Sequence, residues 1–121
     1  MTILVVDDSE DCIATLDLAL QTLPGIVLRP FMSAEAALMA LESDTVSAVI
    51  TDIHLPGMSG LDLVARIRQD SRFHSLPVVV LSADADPSTP ARALSLGANA
   101  YFAKPFSPSA MRRKLEELIH A

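Results

Sequence analysis

The hydrophobic residues of this chain gather in five short, nearly continuous runs, with longer stretches of mixed character between them. Runs without polar alternation are typical of strands that are buried on both faces of a sheet. We therefore predict five strands, which cover Ile3 to Val6, Ile26 to Leu28, Ala48 to Ile50, Val78 to Leu81 and Ala100 to Phe102.

The stretch that follows each run places apolar residues three or four positions apart, which is the spacing of an amphipathic helix. Cys12, Leu16 and Leu20 illustrate the pattern after the first run. Five strands that alternate with five helices predict an α/β fold. The sheet is expected to be parallel and doubly wound, with right-handed crossovers and helices on both faces.

Turn and cap residues support these boundaries. Pro24-Gly25 is predicted to end the first helix, Gly97 to follow the fourth, and Ser33 to cap the second. Thr89-Pro90 and Ser107-Pro108 each place a hydroxyl N-cap before a proline at the first helical position, where the missing N–H costs nothing.

Composition is that of one folded domain over residues 1–121. Half of the residues are apolar and a fifth are charged, which argues against disorder. No apolar run approaches the roughly 20 residues of a membrane-spanning helix, so no membrane association is expected. The first strand runs directly into Asp7 and Asp8 without a basic leader, and we expect no signal peptide.

Net charge and cysteine content bear on nucleic-acid binding and on the redox setting of the chain. The chain has 9 basic and 15 acidic residues and a net charge of -6, which disfavours direct binding to nucleic acid because phosphate contacts need a basic surface. The single cysteine, Cys12, excludes an intramolecular disulfide and is expected to pack in the core. A reducing, cytoplasmic setting is predicted.

Four of the predicted strands end in residues suited to phosphoryl transfer. Asp7 and Asp8 follow the first strand, Asp52 the third, Ser82 the fourth and Lys104 the fifth. In a doubly wound sheet, ligands bind outside the carboxyl ends of the strands. The sequence therefore predicts a pocket there for a divalent cation and a phosphoryl group.

Each of these residues also has an ordinary structural explanation. Asp7 and Asp8 could bind Mg2+, or they could only favour the dipole of the first helix. Asp52 could accept a phosphoryl group as an acyl phosphate, or it could cap a turn. Ser82 and Lys104 could bind two phosphoryl oxygens, and the combination favours the functional interpretation.

Four motifs stand at the ends of the predicted strands. They are Leu4-Val5-Val6-Asp7-Asp8, Asp52 with Leu55-Pro56-Gly57-Met58-Ser59-Gly60, Leu81-Ser82-Ala83, and Gly97-Ala98-Asn99-Ala100-Tyr101-Phe102-Ala103-Lys104-Pro105-Phe106. In these motifs the chain resembles the receiver domains of two-component response regulators, over essentially its whole length. The resemblance implies a flavodoxin-like (βα)5 domain with strand order 2-1-3-4-5.

The resemblance also implies roles for single residues. Asp52 would be the phosphoacceptor, and Asp8 and Asp52 would bind Mg2+, or alternatively Mn2+, together with the backbone carbonyl of His54. Asp7 would act on the same metal mainly through a bound water. Ser82 and Lys104 would hold the phosphoryl group.

The family's conformational switch is implied as well. The Ser82 hydroxyl would move toward the phosphoryl group, and Tyr101 would rotate inward behind it. The face formed by the fourth helix, fifth strand and fifth helix would change and signal to an output domain or a downstream protein. Lys104-Pro105 would carry a cis peptide bond, and a homodimer that depends on phosphorylation is a further expectation.

Some residues near the pocket suggest weaker hypotheses. His54 and Asp84 are predicted to tune the lifetime of the phosphoryl group; alternatively, both simply face solvent. Ile13 and Ala14, with Pro105 nearby, are predicted to contact the phosphodonor, a histidine kinase or a histidine phosphotransfer protein. An exposed isoleucine can also occur without any function.

Three other functions are weighed against a signalling receiver, which would catalyse only its own phosphorylation and dephosphorylation and is not an enzyme on other substrates. An aspartyl phosphatase or phosphotransferase would need an acid two residues after Asp52, where His54 stands. A flavin-binding module would need a hydroxyl and glycine-rich loop in place of Asp7 and Asp8. A scaffold that works without phosphorylation is disfavoured only by the intact pocket.

Overall fold

The computed structural model describes residues 1–120 and confirms the alternation of five strands with five helices. The strands are β1 (Thr2–Val6), β2 (Val27–Phe31), β3 (Ala48–Asp52), β4 (Val78–Ser82) and β5 (Ala100–Ala103). The helices are α1 (Glu10–Leu20), α2 (Ala34–Ser43), α3 (Gly60–Gln69), α4 (Thr89–Leu96) and α5 (Pro108–Ile119). A single 3-10 turn, Ser71–Phe73, lies between α3 and β4.

All neighbouring strands pair in parallel, in the order β2-β1-β3-β4-β5. This is the predicted flavodoxin-like order. The register aligns the carboxyl ends of the strands, since Asp52 at the end of β3 pairs with Leu81, and Ser82 at the end of β4 pairs with Ala103. The polar residues that end the strands therefore meet at one edge of the sheet.

Two apolar clusters cover the two faces of the sheet. One cluster joins the inner sides of α2, α3 and α4 to the sheet, and the other joins α1 and α5 to the opposite face. Strands β3 and β4 are buried along their whole length, as their unbroken apolar runs predict. Cys12 also packs in the core, on the α1 side.

No helix within residues 1–120 combines the length and the apolar character needed to cross a membrane.

Strand β2 departs from the prediction in both boundaries and burial. It runs over Val27–Phe31 and not over Ile26 to Leu28, and no residue in it is fully buried; Val27 is 55% exposed. The reason is its place at the edge of the sheet, where only β1 pairs with it. Pro30, which has no N–H to donate, is compatible with such an edge strand.

The predicted caps are confirmed at three helices. Ser33 and Ser107 precede α2 and α5, and their side chains accept hydrogen bonds from the backbone N–H groups of Ala36 and Ala110. Gly97 ends α4 with a φ of 116°, a conformation that glycine adopts at little cost. Lys104-Pro105 is cis, as the resemblance implies.

Two predicted boundaries are wrong. Thr89 is the first residue of α4 and not its N-cap; Ser88 takes the cap position, without a side-chain cap bond. The two hydroxyl residues are adjacent, and either register keeps Pro90 in the first turn. Helix α1 ends at Leu20, so Pro24-Gly25 forms the turn into β2 and does not stop the helix directly.

Candidate functional site

The carboxyl edge of the sheet brings three carboxylates together. Asp7 and Asp8 follow β1, Asp52 ends β3, and one oxygen from each lies within 4.8 Å of the others. Asp7 and Asp52 are 1% and 7% exposed, whereas Asp8 is exposed to solvent. Like charges this close repel one another unless a cation lies between them.

Lys104 supplies one such cation from the loop after β5. Its Nζ lies 2.8 Å from Asp7 Oδ2 and 3.1 Å from Asp52 Oδ2. Burial lowers the pKa of Lys104, but its hydrogen bonds to Asp7 and Asp52 outweigh burial, and the net pKa is raised. The ammonium therefore stays charged and holds the ends of β1, β3 and β5 together.

The other oxygen of Asp7 is fixed by the start of α1. Asp7 Oδ1 accepts a hydrogen bond of 2.9 Å from the backbone N–H of Ser9, and Ser9 is the N-cap of α1, with its side chain bonded to Cys12 N. Cys12 lies in the first turn of α1, where burial and its interaction with Asp7 raise the pKa of its thiol to about 12. Cys12 is therefore a neutral thiol at pH 7 and adds no charge to the site.

The loop after Asp52 is held by a close backbone contact. Gly60 N donates a 2.8 Å hydrogen bond to the carbonyl of Ile53, and a Cβ on Gly60 would overlap the carbonyl oxygen of Asp52. Only glycine fits at this position. Gly60 belongs to the motif that follows Asp52, but its steric role depends on a contact between segments that the sequence pattern does not reveal.

Ser82, the last residue of β4, and Asp84, in the loop between β4 and α4, line the pocket. Ser82 is fully buried, and its Oγ accepts a 2.9 Å hydrogen bond from the N–H of Asp84. The Asp84 carboxylate lies 3.5 Å from Nε2 of His54 and 3.4 Å from Oγ1 of Thr89. His54 is 66% exposed, so His54 and Asp84 contact each other at the solvent side of the pocket. Their effect on phosphoryl lifetime stays a prediction.

The remaining predicted residues surround this centre. Tyr101 is half-buried on β5 and packs against the apolar cluster beneath α2, α3 and α4. Ile13 is half-buried against the α1 core, whereas Ala14 and Pro105 are exposed. The prediction of an exposed Ile13 is therefore met only in part, because one side of the side chain packs inward.

Two apolar depressions flank the beginning of α1. One, of about 560 Å³, has Ile13, Ala14 and Met32 among its lining residues. The other, of about 370 Å³, includes Pro105 and Phe106 and reaches Lys104. The predicted docking residues thus line openings on both sides of α1, one of which adjoins the carboxylates.

The donor set fits a hard divalent cation. It contains only carboxylate oxygens, which Mg2+ and Mn2+ prefer to nitrogen or sulfur. Asp7 and Asp52 each keep an oxygen that is not bonded to Lys104, and within residues 1–120 the Asp8 side chain takes part in no ion pair. The role of the His54 carbonyl as a ligand stays a prediction.

Comparison with known proteins agrees with this geometry. Residues 3–116 match the family model of the response regulator receiver domain. Chemotaxis protein CheY1 of Helicobacter pylori is 34% identical over 123 residues, which cover 98% of this chain and 97% of that protein. Chemotaxis protein CheY of Pseudomonas aeruginosa is 31% identical over 98% of this chain and 96% of its own length.

Solved structures agree as well. A candidate response regulator from Chloroflexus aurantiacus is 33% identical and superposes with a TM-score of 0.91 over 99% of this chain and 98% of its own. The receiver domain of a sensor histidine kinase from Pseudomonas aeruginosa is 26% identical, with a TM-score of 0.86 over 99% of this chain and 98% of that one. In that structure a magnesium ion is coordinated in the active-site cleft.

Proposed function

The chain belongs to the response regulator receiver domain family, and on this basis we propose that it is a phosphorylatable switch of two-component signalling. It accepts a phosphoryl group from a phosphohistidine donor onto Asp52. The observation that carries the proposal is the meeting of Asp7, Asp8 and Asp52 at the sheet edge, with Lys104 bonded directly to Asp52. Its turnover is confined to its own aspartyl phosphate, so it is not an enzyme on other substrates.

The geometry suits an in-line transfer between the donor nitrogen and Asp52. An oxygen of the Asp52 carboxylate attacks phosphorus, the P–N bond to the donor imidazole breaks, and its electron pair stays on the nitrogen. Lys104, already 3.1 Å from Asp52 Oδ2, can exchange that contact for a phosphoryl oxygen. A magnesium ion bound by Asp8 and Asp52 would offset the charge of the transferred group.

Phosphorylation then changes the positions of Ser82 and Tyr101. In the present form the Ser82 hydroxyl is engaged by Asp84 N, so turning toward a phosphoryl oxygen would release that bond and alter the loop before α4. Tyr101 lies one strand away, opposite Val80 in β4. We propose that the α4-β5-α5 face changes in this way and contacts an output domain or a downstream protein, with homodimer formation as a further use of the same face.

We propose that the donor, a histidine kinase or a histidine phosphotransfer protein, docks at the beginning of α1. The apolar depressions on either side of it are bordered by Glu10, Asp11 and Asp17, which favours a partner with apolar and basic side chains. Loss of transfer from such a donor in Ile13→Glu, with labelling by a small donor kept, supports this docking site; full transfer removes it.

The deciding experiment is labelling by acetyl phosphate. We expect intact-mass spectrometry to detect one added phosphoryl group that requires Mg2+, is absent in Asp52→Asn and is strongly reduced in Asp8→Asn. An adduct that persists in Asp52→Asn would contradict the assignment of the phosphoacceptor. No adduct in the wild-type protein, despite Mg2+ binding, would favour a scaffold that works without phosphate.

The lifetime of the adduct tests the residues at the pocket opening. Because the contact between His54 and Asp84 lies between the pocket and solvent, we propose that it limits access of the hydrolytic water. His54→Ala and Asp84→Ala should then lose the phosphoryl group at altered rates. Unchanged rates in both variants would leave the pair without this role.

The reducing, cytoplasmic setting is a proposal that rests on family membership and the single free thiol.

A further inference from the structure

Arg68, near the end of α3, makes contacts that the phosphorylation chemistry does not require. Its Nε donates to the carbonyl of Gly97 at 2.9 Å, Nη1 to the carbonyl of Phe73 at 2.9 Å, and Nη2 to Oδ1 of Asn99 at 2.8 Å. Within residues 1–120 it forms no ion pair. All three bonds of this half-buried guanidinium go to neutral oxygens. Because the guanidinium is planar and rigid, its donors form a fork that holds the three acceptors in a fixed arrangement.

Two of the three acceptors of Arg68, Gly97 and Asn99, lie where α4 ends and β5 begins, and the third, Phe73, lies in the 3-10 turn that follows α3. Gly97 is the left-handed cap of α4, and its N–H and that of Ala98 close the last turn of the helix. Asn99 Oδ1 also accepts from Val78 N at 2.8 Å, which fixes the entry into β5 beside β4. Arg68 therefore ties the carboxyl end of α4 and the start of β5 to α3.

Helix α4 has few other attachments. It has eight residues, of which only Thr89 and Ala93 are buried, and its N-cap Ser88 makes no side-chain cap bond. Its leucines, Leu94 and Leu96, are partly exposed. Because little apolar surface holds α4 in place, the bonds of Arg68 to Gly97 and Asn99 contribute a large part of its positioning.

The opposite end of α4 is linked to the phosphorylation pocket. Ser82 Oγ accepts from Asp84 N, and the Asp84 carboxylate lies 3.4 Å from Thr89 at the start of α4. These two contacts connect Ser82 to the beginning of the helix. A shift of about 1 Å at the other end would break its bonds of 2.8–2.9 Å, because N–H···O hydrogen bonds have donor–acceptor distances of about 2.7–3.2 Å and a contact of about 3.6 Å is no longer one.

We propose that Arg68 is a positioning residue that holds α4 in its unphosphorylated arrangement and thereby weakens binding of a phosphoryl group at Asp52. The inference rests on the proposed function. By linkage, an interaction present in one form and lost in the other lowers the affinity of any ligand that favours the other form. Removing the fork of Arg68 shifts the population toward the form that binds the phosphoryl group.

The test is calorimetric titration with beryllofluoride and Mg2+, a mimic of the aspartyl phosphate, at a temperature where every variant is folded. Arg68→Gln should bind the mimic about fivefold or more tightly than wild type, a typical size for coupling between two sites. Arg66→Gln is the matched control, because Arg66 is an exposed arginine on the same helix. An equal or weaker affinity of Arg68→Gln overturns the proposal, even if its melting temperature falls.

Two further measurements test whether the hydrogen bonds of Arg68, and not its charge, hold the end of α4. Arg68→Lys keeps the charge but loses the fork, so it should also bind the mimic more tightly; wild-type affinity would contradict a role for the hydrogen bonds. Hydrogen exchange without any phosphate should be faster at Gly97 and Ala98 in Arg68→Gln than in Arg66→Gln. If wild type itself fails to bind the mimic, the proposed function fails, and this failure is visible without any Arg68 variant.

Discussion

Helices α3 and α4 occupy equivalent places in the fold but are held very differently. Each follows a strand that delivers a residue to the pocket, Asp52 for α3 and Ser82 for α4, and both cover the same face of the sheet. Helix α3 has ten residues, five of them buried, and a side-chain cap bond from Ser59. Helix α4 has eight residues, two of them buried, and no such bond. The chain thus holds Asp52, the proposed phosphoacceptor, on a rigid frame and places Ser82, the proposed switch residue, beside a loosely held helix.

The energies that hold the two helices differ accordingly. The buried apolar side chains of α3 are Leu61, Leu63, Val64 and Ile67, and burying each contributes about 1.5–3 kcal/mol. Helix α4 buries only Ala93 among its apolar residues. Since burial of a methyl group contributes far less, a few polar bonds decide where α4 lies. If the proposed function is right, a change of charge or hydrogen bonding at Ser82 moves α4 without unfolding the domain.

The largest expected effect comes from Gly60→Ala at the start of α3. The new Cβ would lie 2.7 Å from the carbonyl carbon of Asp52 and 2.9 Å from Ile53 Cα, and neither backbone segment can give way easily. We expect the free energy of unfolding to fall by about 4 kcal/mol or more, or folding to fail. Urea denaturation followed by circular dichroism measures the loss.

The matched control is Gly97→Ala at the end of α4. There the obstacle is the side chain of Arg68, which can move, together with a positive φ that alanine tolerates poorly. The expected loss is about 1–2 kcal/mol. Equal losses in the two variants would contradict the contrast between a rigid α3 and an adjustable α4.

The next effect is a core truncation, Leu63→Ala. Leu63 is fully buried in α3, and removing its side chain leaves a cavity that should lower the free energy of unfolding by about 2–5 kcal/mol. Leu94→Ala in α4 removes a side chain that is half exposed and should cost less than about 1 kcal/mol. Thermal and urea unfolding of both variants provide the comparison. Similar losses would mean that α4 is packed as firmly as α3.

Much of the fold around the pocket could be predicted from the sequence, because it depends on local patterns. The apolar runs locate β3, β4 and β5 to within one or two residues, and the polar residues at their ends predict the pocket. A parallel sheet aligns those ends, so Asp52, Ser82 and Lys104 meet although they are far apart in the chain.

What could not be foreseen depends on neighbours distant in sequence. The run at β2 does not reveal that this strand lies at an edge, and the adjacent hydroxyls of Ser88 and Thr89 permit two cap registers. The resemblance implies that Lys104 holds a phosphoryl group, but the bonds of Lys104 to both Asp7 and Asp52 depend on the folded geometry. The contacts of Arg68 with Gly97 and Asn99 span about thirty residues and follow no periodic pattern.

The smallest predicted effect is the loss of an N-cap side chain, which we compare at the first turns of α3 and α4. Ser59→Ala removes the side-chain oxygen that accepts a 3.1 Å hydrogen bond from Asp62 N, and a lost N-cap of this kind costs about 1 kcal/mol. Ser88→Ala removes a hydroxyl that bonds only the exposed Asp86 carboxylate, so its cost should be near zero. Urea unfolding of the two variants measures the difference. A cost at Ser88 equal to that at Ser59 would mean that the start of α4 is capped as firmly as that of α3, and the loop after Ser82 would then lack the freedom that switching requires.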